Sequence, residues 1–167
     1  ANNFLNDEIK TVDEALSGAR DIISEQINEN ATIRASIRNI FEKEAFIISK
    51  VNDENATDAA KYKDYFEYNE LISKIPSHRI LAILRGAIEG VLRMSIEPED
   101  ERVLAFIEKE FIIANNDAAT QVKKAIKECY RRLLQPSMES EFRTAIKHRA
   151  DEEAIEVFAE NLRQLLL

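Results

Sequence analysis

The sequence predicts a mainly α, multi-helix domain with a long C-terminal helix and room for a small two-stranded β ribbon. Three observations carry that expectation. Apolar residues recur at three-and-four spacing over most of the chain, as one face of a helix requires. Only three glycines and three prolines interrupt 167 residues. Helix-start signals at Thr11 with Glu14, Asn30, Pro98 and Ser137 stand just ahead of such stretches. The length suits one hydrophobic core, so residues 1–167 read as a single helical domain.

In chain order, the T-x-x-E box of Thr11 and Glu14 opens a helix from about Val12 to Glu29, with Val12, Leu16, Ile22, Ile23 and Ile27 inward. Asn30 caps a second helix that turns Ile33, Ile37, Ile40 and Phe41 to the core and carries Arg34 and Arg38 on its flank. Phe46–Val51 is short and β-branched, and Val91–Ile96 alternates apolar with polar, so these two pair into the ribbon. Between them Tyr62, Tyr65, Phe66 and Tyr68 are interleaved with Lys61 and Lys63. That composition can stack on bases, but Asp64, Glu67 and Glu70 cancel the lysines, and seating a helix on the core is the stronger reading.

Residues 75–90, IPSHRILAILRGAIEG, form the stretch the rest is arranged around. As a helix entered through Pro76 and Ser77, it buries Ile80, Leu84, Ala87, Ile88 and Val91 and turns His78, Arg79 and Arg85 away. Ala82, Gly86 and Gly90 lie four apart. Glycine costs a helix interior about 1 kcal/mol against alanine, so either the helix ends near Gly86 or Gly90, or the small strip is a docking groove flanked by Ser77, His78, Arg79 and Arg85.

Pro98 starts the next helix, with Val103, Leu104, Ile107, Phe111 and Ala114 inward. Another opens near Asp117 and buries Val122, Ala125, Ile126, Cys129, Tyr130, Leu133 and Leu134; its other side holds Lys123, Lys124, Lys127, Arg131 and Arg132, the densest basic cluster. Pro136 breaks the chain and Ser137 caps a last helix over residues 137–167, a rod of about 45 Å with a bend expected near Ala150 to Glu153. Its apolar stripe runs on through Phe158, Leu162 and Leu165, and with Ala1 in place of methionine at the other end the chain reads as a piece of a larger protein, a further domain following residue 167.

A formal net charge of −8 opposes long-range attraction to phosphate backbones, so any nucleic-acid contact must be a local patch. One cysteine excludes an internal disulfide and a cysteine-based zinc site, and no apolar run or leader speaks for a membrane or for export. The cytoplasm is the expected setting. His78 and His148 have no second ligand at metal spacing, and adjacent Ser77 and His78 point about 100° apart on a helix, too far for nucleophile and base. No catalytic residue, metal or cofactor is expected.

Five segments in order, ALSGARDIISEQINENA (Ala15–Ala31), KYKDYF (Lys61–Phe66), IPSHRILAILRGAIEGVL (Ile75–Leu92), YRRLLQPSMESEFR (Tyr130–Arg143) and DEEAIEVFAENLRQLLL (Asp151–Leu167), resemble the Tex transcription accessory proteins of bacteria. The resemblance covers nearly the whole chain and lapses at residues 52–57 and 98–119. It implies the helical N-terminal portion of a larger protein that binds nucleic acid and affects transcription. An RNase H-like domain generally regarded as non-catalytic, helix-hairpin-helix elements and an OB-fold RNA-binding domain would follow. Nucleic acid would then be met mostly through parts outside this chain, with the transcription machinery as a further partner. The motif residues that transfer, Lys61, Tyr62, Asp64, Tyr65, Ser77, His78, Arg79, Arg85, Gly86 and Arg132, bring no catalytic role. The function expected is a helical scaffold. The alternative is a direct nucleic-acid module using the basic helix 123–132.

Overall fold

A computed structural model describes residues 2–111 and 117–166. The described residues form six α-helices and three strands, in the order α1 (Asn2–Glu29), α2 (Ala31–Glu44), β1 (Phe46–Val51), β2 (Glu67–Leu71), α3 (Ser77–Ile88), β3 (Leu92–Glu97), α4 (Asp100–Phe111), α5 (Asp117–Cys129) and α6 (Gln135–Leu166). A 3-10 helix, Ala59–Tyr65, precedes β2, and a π-helical segment, Tyr130–Leu134, joins α5 to α6. Packing gathers these elements into two units, Ala1–Arg38 with Asp100–Ser137, and Asn39–Glu99 with Met138–Leu167. The expected inward residue Ala114, like Ala1 and Leu167, lies outside the described residues.

In the first unit α1 begins some ten residues before the expected capping box, so Thr11 sits within the helix. The reason is legible upstream: Leu5 and Ile9 continue the apolar spacing toward Val12, and no glycine or proline interrupts it. Val12 and Ile22, expected inside, are 58% and 59% exposed, while Ile27 is fully buried. α1 lies along α5, where Arg20 donates to the Gln121 side chain (2.9 Å), Ser24 Oγ to the Ala125 carbonyl (3.3 Å) and the Cys129 thiol to the Ser24 carbonyl (3.2 Å). Asn30 caps α2 as expected, its Oδ1 accepting from the Ile33 amide at 3.0 Å. Ile33, Ile37, Val103, Ile107, Ala125, Ile126, Tyr130 and Leu134 are buried in this unit.

Pro136 does not break the chain. The helix widens instead: the Gln135 amide donates to the Tyr130 carbonyl, five residues back. A π turn draws the carbonyls away from the proline ring and leaves its missing amide without a required partner, so the helix passes through. Ser137 is therefore no cap; its hydroxyl accepts from Arg34 at 2.9 Å. Tyr130 and Leu134 stay buried on the widened turn, and Leu133 is turned outward, 43% exposed.

The second unit holds a three-stranded antiparallel sheet in the order β2-β1-β3, with Phe46 opposite Leu71 on one side and Glu97 on the other. The two expected strands form, and β2 adds a third where an aromatic helical segment was expected. On β3 the alternation is clean, with Leu92, Met94 and Ile96 buried between exposed Arg93 and half-buried Ser95. Ser49 is fully buried on β1, its hydroxyl donating to the Tyr65 carbonyl at 2.7 Å. α6 reaches both edges of this sheet: Arg143 donates to the Met94 carbonyl (2.7 Å), and Arg149 to the Ile72 and Ile75 carbonyls (3.1 and 3.2 Å) beyond β2. Phe142 stacks on Phe41, ring centroids 5.6 Å apart. α6 is continuous through the expected bend, and from Glu152 to Leu166 every residue is exposed. Among the described residues no helix is long and apolar enough to cross a membrane.

Candidate interaction surfaces

α3 is placed by its two ends. Pro76, extended at ψ 148°, is the residue before the helix, and its carbonyl accepts from the Ile80 amide at 3.2 Å. Ser77, expected as the cap, is the first helical residue; its hydroxyl donates to Glu153 on α6. At the other end Gly90 takes φ +77°, its amide donating to the Ala87 carbonyl (3.2 Å) and the Val91 amide to the Gly86 carbonyl (3.0 Å). That pair of bonds is a Schellman C-cap, which needs a left-handed residue at this place. The helix thus ends at Gly90, one of the two readings the spacing offered.

Gly86 has another cause. A β-carbon there would lie 2.6 Å from Leu92 Cδ1 and 3.0 Å from Tyr62 Cδ1. Gly86 is covered by the chain's own β3 and 3-10 helix, with Ala59, Tyr62, Val91 and Leu92 forming one buried cluster, whereas Gly90 is exposed. The inward stripe of α3 is accordingly Ile80, Ile83 and Gly86, and Ile88, expected inside, is 84% exposed.

Around this helix the polar groups satisfy one another. Arg79 donates to the Tyr68 hydroxyl at 2.7 Å, lies 3.3 Å from Glu70, and places its guanidinium 5.6 Å over the Tyr68 ring. The Tyr68 hydroxyl donates in turn to Glu70, and Tyr65 meets Tyr68 edge-on. Burial, and then the Glu70 hydrogen bond, push the Tyr68 phenol above its ordinary pKa. Tyr62 is likewise raised by burial, and its hydroxyl donates to Glu89 at 2.8 Å. Lys61 is exposed and pairs with Asp58 at 2.7 Å, which lifts its pKa. His78 and Arg85 are exposed. Of the candidate surface residues Lys61, Tyr62, Tyr65, Ser77, His78, Arg79, Arg85 and Gly86, Tyr62 and Gly86 are buried, and Arg79 and Tyr65 belong to the Tyr68 network. Sequence reasoning missed the contacts of Glu70 with Arg79, Glu89 with Tyr62, Arg143 with Met94 and Arg149 with Ile72, which join residues 9 to 77 apart.

The basic cluster of α5 divides. Lys123, Lys124 and Lys127 are exposed and have no ion pair among the described residues. Arg131 lies 3.7 Å from Asp100. Arg132 lines a groove of about 420 Å³ together with Asp21, Glu25, Glu29 and Glu128, an acidic setting. Cys129, at the same groove, is 1% exposed, and burial pushes its thiol up to about 11 against the opposing charge of Arg34. Among the described residues no three His, Cys, Asp or Glu side chains are placed to hold a metal ion.

The family model described as "Tex central region-like" matches residues 1–158. An uncharacterized protein, YdcI, of Bacillus subtilis is 40% identical over 162 residues, covering 96% of this chain and 22% of that protein. The transcriptional accessory protein Tex of Neisseria gonorrhoeae is 36% identical over 173 residues, covering 100% of this chain and 23% of its own length. A human S1 RNA-binding domain-containing protein 1 is 26% identical over 177 residues, 95% of this chain and 17% of that protein. The chain spans about a fifth of the length of these relatives.

Proposed function

Because the chain belongs to the Tex central region-like family, we propose that it is the helical frame of a longer transcription accessory protein. It holds nucleic-acid-contacting parts in place, offers protein contacts of its own and catalyses nothing. One observation carries this reading: four arginines are held by groups of this chain. Arg34 serves Asn28 and Ser137, Arg79 serves Tyr68 and Glu70, and Arg143 and Arg149 serve backbone carbonyls. A net charge of −8 agrees with it. In this reading the protein acts on transcripts or their template, in the cytoplasm.

A second reading makes the chain itself a nucleic-acid module, and exposed Lys123, Lys124 and Lys127 favour it. One experiment separates the two. In the longer protein, the double variant Lys124→Glu, Lys127→Glu is expected to keep the RNA affinity and its salt slope within error of wild type. A loss of about tenfold with a slope flatter by one or two would assign binding to these lysines instead.

A further inference from the structure

No further inference is drawn: the strongest candidate, the apolar strip of Ile155, Phe158, Leu162, Leu165 and Leu166 along the last turns of α6, is exposed, and nothing in the structure shows what covers it.

Discussion

At Gly86 the cost of a methyl group and the gain in helix propensity oppose each other, and the distances decide between them. The added carbon would meet the buried Leu92 side chain at 2.6 and 2.9 Å, an overlap that typically costs about 1–3 kcal/mol. Alanine's better propensity returns about 1 kcal/mol. Gly86→Ala should therefore lower the unfolding free energy by about 1 kcal/mol in a urea titration. A β-carbon at Gly90 would meet nothing within 4 Å, so Gly90→Ala pays backbone strain alone, also about 1 kcal/mol, and Gly90→Asn should recover part of it. Stabilisation by either alanine would refute the packing or the cap. Cys129 supplies a test by pH. Its folded value of about 11 lies above the ordinary thiol, so the folded chain holds the proton longer. This contribution to stability is complete below about pH 8.5 and is lost as pH rises toward 11. At pH 8 the native thiol should react with Ellman's reagent at least about tenfold more slowly than in urea; equal rates would mean the site is open. The sequence alone named Gly86 and Gly90 as anomalies. It could not separate their causes, because one depends on Leu92 and Tyr62 arriving from other elements.

Among the elements, the π segment at Tyr130–Leu134 answers Pro136. Proline in a regular helix costs about 3 kcal/mol. If the widened turn already relieves that cost, Pro136→Ala should change stability by less than about 1 kcal/mol. A gain near 3 kcal/mol by chemical denaturation would mean that the ring still strains the helix. Proline read as a stop is sound locally, and it fails here because buried Tyr130, Leu134 and Met138 hold the chain helical on both sides. The strand β2 was hidden for a related reason. Its residues, EYNEL, are mostly polar and weak in strand preference, and their conformation is set by pairing with β1 and by Arg79 holding Tyr68 and Glu70. β1 and β3 were legible because their own apolar alternation marks them.

For the whole molecule, the mainly α class and the long last helix followed from periodicity, which is local information. The candidate surfaces were less legible: exposure of a charged side chain depends on which partner comes within reach. Arg79, Arg131 and Arg132 look alike in sequence, yet one sits on a tyrosine, one beside Asp100 and one among carboxylates. As the frame proposed above, this chain has little affinity of its own for nucleic acid. The most direct measurement is fluorescence anisotropy of a labelled single-stranded RNA titrated with the isolated 167-residue chain at low salt. The frame predicts no saturation below about 100 µM protein, whereas saturation near 1 µM, within or tighter than ordinary non-specific binding, would contradict it.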